Sequence, residues 1–229
     1  MTERASGGAR PAPASTRTTQ LGVLGGTFDP IHVGHVAVAR AARRELGLDE
    51  VLLVPAASPP HKVGVPTAPA DDRLAMVELA VANEPGLVAS RIELDRPGPS
   101  WTVDTLTALL ADARAAGRDV ALTLILSADA FAGLATWHEP ARLLRLARVA
   151  VAPRPGHPSP SLHLLPDTLR DLAGDTVFLA GPNLDISATD IRRRVAAGLP
   201  VDGLVAPAVA RYIEAHHLYR QPARSEEAT

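Results

Sequence analysis

The sequence predicts an α/β fold: a Rossmann-like, doubly wound, mostly parallel sheet closed by C-terminal helices. Three observations carry this. Short apolar runs of strand length recur along the chain, with VALTLIL (Val120–Leu126) the strongest. Segments of helical periodicity alternate with them, the order expected of a parallel sheet covered on both faces. The length, 229 residues, suits one domain with a sizeable core.

Taken in order, Leu21–Gly25 (LGVLG) reads as a buried strand ending in glycine. His35–Leu46 has helical periodicity and stops at Gly47, a natural helix terminator. Glu50–Val54 is the second strand. Asp71–Ala82 is a helix with two aspartates in its first turn, where the helix dipole favours them. Leu87–Leu94 is expected as a strand, and Thr102–Ala116 as a helix capped by Ser100 and stopped by Gly117. After Val120–Leu126, Arg148–Ala152 and Thr176–Leu179 add two strands, and Ser187–Ala197 and Pro207–His216 add the closing helices. Pro153–Pro166 holds five prolines in fourteen residues and reads as an irregular surface loop. Residues 1–20 are expected to be a disordered arm, 21–219 a single domain and 220–229 a disordered tail. Ligands of such sheets bind at the carboxyl ends of the strands, so the polar residues just after each strand should inform function.

Composition narrows the classes. The net charge of −2 gives no sign of nucleic-acid binding. Without cysteine there is neither a disulfide scaffold nor a thiolate metal site. No apolar run reaches the ~18 residues of a membrane span, and the first twenty residues lack the apolar core of a secretory signal. A cytoplasmic protein is the default expectation, with no membrane partner. Arginine supplies nearly all the positive charge; Lys62 is the sole lysine.

The first strand runs into Gly25-Gly26-Thr27-Phe28-Asp29-Pro30-Ile31-His32-Val33-Gly34-His35. Two glycines let the backbone turn sharply and approach a ligand. Free amides and a helix N-terminus behind them favour an anion such as phosphate. His32 and His35, three apart at the mouth of a helix, can point at one site, and imidazolium can donate to phosphate oxygens. A metal site is the rival, but the segment offers two ligands and no evident third. Neither a GxxxxGK[ST] loop nor GxGxxG is present.

Far downstream lies Ile186-Ser187-Ala188-Thr189-Asp190-Ile191-Arg192. Ser187 can cap a helix whose free amides form an anion pocket. Arg192, little more than one turn on, can clamp phosphate oxygens.

The first string resembles the GGTFDPIHxGH signature of the nucleotidylyltransferase superfamily, and the second its ISxTxIR. Five further segments resemble the nicotinate mononucleotide adenylyltransferase family. They are Pro59-Pro60-His61-Lys62, Ser100 to Leu106 (SWTVDTL), Ser127-Ala128-Asp129 with Leu134 and Trp137, Arg154-Pro155-Gly156, and the tail from Val205 to Tyr219. The likeness spans roughly residues 21 to 219. Two departures stand out: Ser127 where the family often has glycine, and Ala188 where serine is common.

The resemblance implies transfer of AMP from ATP to nicotinate mononucleotide, giving deamido-NAD and pyrophosphate in NAD biosynthesis. It implies ATP binding by Gly25, Gly26, Thr27, Phe28, His32, His35, Ser187, Thr189 and Arg192, with His32, His35 and Arg192 catalytic. For the acceptor it implies Lys62 on the phosphate, Thr102 near the nicotinate carboxylate, Asp129 on a ribose hydroxyl, Trp137 stacked on the pyridine and Arg154 on phosphate. Magnesium is expected to be carried mainly by ATP, with no protein metal site. The alternatives are a pantetheine-phosphate adenylyltransferase, usually shorter and without the Trp137 and RPG segments, and a catalytically silent nucleotide sensor on the same fold. A homo-oligomer is left open.

Overall fold

A computed structural model describes residues 17–57, 68–157 and 159–220. The strands are β1 (Thr19–Gly26), β2 (Glu50–Pro55), β3 (Leu87–Ala89), β4 (Val120–Ser127), β5 (Ala147–Ala152) and β6 (Val177–Phe178). All pair in parallel, in the order β3-β2-β1-β4-β5-β6. The winding therefore reverses between β1 and β4, the point at which a doubly wound sheet opens a crevice for a ligand.

The helices are α1 (Val33–Leu46), α2 (Ala70–Val81), α3 (Thr102–Ala115), α4 (Ala128–Ala132), α5 (Pro140–Leu146), α6 (Asp167–Arg170), α7 (Ala188–Ala196) and α8 (Pro207–Ala215). Each central strand is apolar on both faces because both are covered. On one face Leu24, Val51, Leu53 and Ile125 pack against Ala39 and Ala42 of α1, Met76 of α2 and Ile213 of α8. On the other, Val23, Leu52, Val54 and Leu124 pack against Leu106 of α3, Phe131 of α4 and Leu143 of α5. Gly47 ends α1 at φ 62°, a left-handed conformation that glycine adopts without a Cβ clash.

Four local expectations need correction. Thr19 and Gln20 are not part of an arm: they begin β1, and the Thr19 N–H donates to the Asp119 carbonyl at 2.8 Å. Arg17 also pairs with Asp49, and Thr18 with Asp119. β3 ends at Ala89 rather than Leu94. It is an edge strand, and after the Ser90 N–H reaches the Leu53 carbonyl the chain turns through Arg91–Asp95 and Glu93–Arg96 hydrogen bonds. That turn buries the Glu93 carboxylate, which accepts the Thr105 hydroxyl at 2.7 Å. Ser100 does not cap α3. Trp101 takes the cap position, while Ser100 Oγ accepts the Ala57 N–H at 3.0 Å and ties the chain after β2 to the start of α3. Within Pro153–Pro166 a 3-10 turn at Leu162–Leu164 delivers Leu165 into the core, so the stretch is not wholly a surface loop.

Candidate active site

The two phosphate-type loops lie at the carboxyl end of the sheet, one directly after β1. Beyond Gly26 the chain passes through Phe28, buried and at φ 48°, and enters α1 with extended His32 at the cap position. The His32 N–H donates to His35 Nδ1 at 3.2 Å, which leaves Nε2 as the proton-bearing nitrogen of His35. The two imidazoles stack, with centroids 3.7 Å apart and planes at 23°, and the edge of Phe28 braces His35. Gly34 makes this stack possible: a Cβ there would sit 3.0 Å from His32 Nδ1.

Burial, aided by the positive charge of Arg154, pushes the pKa of His32 down to about 4. The imidazolium expected from the sequence is thus corrected to a neutral ring in the ligand-free protein. A neutral ring still offers one N–H donor.

The second loop closes on the first. Ser187 Oγ accepts the Asp190 N–H at 3.1 Å and caps α7. From that helix Arg192 donates through Nη1 to the Asp29 carbonyl at 2.7 Å and through Nη2 to Thr189 Oγ1 at 3.2 Å. Asp29 itself is buried, and its Oδ1 accepts the Ala68 N–H at 2.9 Å and the Tyr219 hydroxyl at 2.8 Å. Arg73, also buried, donates to the carbonyls of Thr27, Ala57 and Ala68. The loop is therefore held from three directions by polar groups that water barely reaches.

Between the loops opens a cleft of about 540 Å³. Gly25, Gly26, Thr27, Phe28, His32, His35, Ser187 and Thr189 line it, as do Thr102, Trp137 and Arg154. Arg192 is set behind the wall, touching Asp29 and Thr189, which do line it. Asp129 is likewise not on the wall: its carboxylate pairs with Arg154. Burial raises the pKa of Asp129, but the Ser127 hydroxyl and Arg154 more than offset this, so it stays below the ordinary value. Lys62 lies outside the described residues.

Several residues of the site have no role assigned by the sequence. Trp101 and His138 both line the cleft and stack with centroids 4.9 Å apart, so Trp137 is one of a group of rings. The buried Glu93 and Thr105 line it as well. Trp101 and Thr105 lie within the SWTVDTL segment, Tyr219 ends the tail segment and His138 follows Trp137; Glu93 and Arg73 are recruited by the fold alone. Among the described residues no three His, Cys, Asp or Glu side chains come together as a metal would need. No helix among them is long and apolar enough to cross a membrane.

A cleft at the switch point of such a sheet, lined by stacked histidines and by the capped start of α7, is the arrangement of a nucleotidyltransferase of the doubly wound type. The cytidylyltransferase-like family model matches residues 23–194. A protein of Roseiflexus sp. named "Probable nicotinate-nucleotide adenylyltransferase" is 48% identical over 200 residues, 87% of this chain and 98% of that one. A Thermus thermophilus protein of the same name is 45% identical over 201 residues, 88% of this chain and all of the other. The chain belongs to the nicotinate-nucleotide adenylyltransferase family, within the cytidylyltransferase-like group. The fold is shared with Plasmodium falciparum nicotinic acid mononucleotide adenylyltransferase complexed with NaAD, at a TM-score of 0.71 and 16% identity over 88% of this chain and 97% of that one.

Proposed function

We propose that the protein transfers AMP from ATP to nicotinate mononucleotide, giving nicotinate adenine dinucleotide and pyrophosphate. The observation that carries this is one cleft joining a phosphate cradle to a cluster of aromatic rings. The relatives at 45–48% identity support the same acceptor.

An oxygen of the mononucleotide phosphate attacks the α-phosphorus of ATP; one P–O bond forms there and the bond to the β-phosphate oxygen breaks. The attacking phosphate is already ionised, so no base has to remove a proton. Catalysis then rests on positioning and on stabilising charge that moves to the leaving pyrophosphate. His35, with its proton on Nε2, and His32 donate to the phosphate chain from below. Arg192 uses two donor contacts on the protein and retains others of its five for phosphate oxygens. Magnesium would enter on the triphosphate, held by phosphate oxygens and water, and would offset charge between the phosphates. The rings of Trp137, Trp101 and His138 form the apolar end of the cleft for the pyridine. Arg154, fixed by Asp129, supplies positive charge between the two ends. Lys62 is assigned to the acceptor phosphate. A reaction that draws on the ATP pool fits the cytoplasm.

The test is purified protein with ATP, magnesium and one of three acceptors: nicotinate mononucleotide, nicotinamide mononucleotide or phosphopantetheine. Pyrophosphate release is expected to be fastest with the first. Fastest release with phosphopantetheine would overturn the acceptor and leave the nucleotidyl transfer standing.

A further inference from the structure

Asp29 and Arg192 are arranged in an unexpected way for opposite charges. Nη1 of Arg192 bonds the backbone carbonyl of Asp29 at 2.7 Å, while the nearest carboxylate oxygen, Oδ2, stays 3.7 Å away. The carboxylate is 2% exposed, so water does not hold it there. What holds it is on the other oxygen: Oδ1 takes the Tyr219 hydroxyl at 2.8 Å and the Ala68 N–H at 2.9 Å. Tyr219 comes from the end of the chain, 190 residues on. It is fixed by a left-handed turn at its own position, φ 61°. Burial, with the Asp29 charge next, raises its pKa, so it remains a donor.

We propose that Tyr219 is a positioning residue that holds the Asp29 carboxylate away from Arg192, leaving that guanidinium available to the phosphates of ATP. Without the hydroxyl, Oδ1 keeps only one donor. A short rotation then tightens the loose 3.7 Å ion pair with Arg192 into a direct, hydrogen-bonded one, which is strong where water is excluded. The guanidinium would be neutralised and kept behind the cleft wall, away from the phosphates. The charged groups facing Asp29 are Arg192 from α7 and Arg73 from α2; Arg73 is already committed to three carbonyls. The inference rests on Arg192 acting on ATP phosphates.

Five variants test it: Tyr219→Phe, Arg192→Ala, their double, Asp29→Asn, and Tyr219→Phe with Asp29→Asn, each checked for its melting temperature. Tyr219→Phe is expected to lower kcat/KM for ATP about tenfold, the effect of losing one hydrogen bond to a charged group. KM for the mononucleotide should change much less. Asp29→Asn should restore part of the loss, because a neutral amide cannot capture the guanidinium. In the Arg192→Ala background the tyrosine change should have no further effect. Unchanged kcat/KM in Tyr219→Phe, or losses that simply add with Asp29→Asn or with Arg192→Ala, would overturn the inference and leave Tyr219 a stabilising contact only. Full activity in Arg192→Ala would instead overturn the role of Arg192 itself.

Discussion

Arg192 and Asp29, 163 positions apart, are joined by a 2.7 Å hydrogen bond from guanidinium to backbone carbonyl. That bond couples the loop after β1 to the helix that carries the second phosphate-type segment. The stacked histidines and Arg192 thus become one cluster of fixed donors, the arrangement that transition-state stabilisation favours.

Gly34 should be intolerant of even one methyl group. A Cβ at that position lies 3.0 Å from His32 Nδ1 and 3.2 Å from Cε1, so the buried imidazole must give by a few tenths of an ångström. Misplacement by about 1 Å can lower a rate by about 10²-fold, and this smaller shift should cost correspondingly less. Gly34→Ala should therefore lose turnover while its unfolding midpoint stays near that of wild type. Turnover within a factor of about two of wild type would show that the ring stack is not needed in its observed position.

His32 sets a pH dependence of stability whose sign follows from burial. Unfolded, the imidazole takes a proton near 6.5; folded, only near 4. Between those values the unfolded chain holds more protons, so stability falls as pH drops through the window and levels off below it. The effect is on the order of 2–3 kcal/mol at about pH 4.5. Urea unfolding at neutral pH and at that pH should show this loss in wild type and a smaller one in His32→Gln. Identical losses would mean that His32 is not the group responsible.

Trp137 should contribute binding without setting acceptor choice. An indole face stacks on nicotinate and nicotinamide rings alike, whereas acid and amide differ in what polar groups they accept. Trp137→Ala should weaken both mononucleotides by ~1–3 kcal/mol, on the scale of base stacking. The ratio of their kcat/KM values should survive. A ratio that collapses in the variant would move selectivity onto the tryptophan.

Local chemistry explains which parts were legible in the sequence. β1 and β4 are continuous apolar runs because both faces are covered, and the GGTFDPIHVGH string carries its turn, its cap and its donors within eleven residues. Segments whose form depends on distant partners were not legible. Glu93 was read within a strand, but an edge strand without a further neighbour turns away, and Thr105 captures the carboxylate. Asp129 and Arg154 were assigned separately to substrate, yet they pair with each other. Arg73 has no local pattern, and Tyr219 stands out only as the last residue of the tail segment; only the folded chain brings them to the loop after β1. The neutrality of His32 also needed the fold, since it comes from burial rather than from sequence neighbours.

Catalysis by the donor cluster turns most directly on His35, whose Nδ1 accepts the His32 N–H and whose ring is gripped by His32 and Phe28. In the proposed reaction this donor acts on charge that develops on the phosphates, so the residue should matter more in the transition state than in the ground state. The measurement is the single-turnover rate of adenylyl transfer in His35→Ala beside the dissociation constant for ATP. The rate should fall about 10²–10³-fold, as for other positioned donors, while ATP affinity falls by far less. A near-normal rate, or a loss confined to ATP affinity, would contradict catalysis by this cluster.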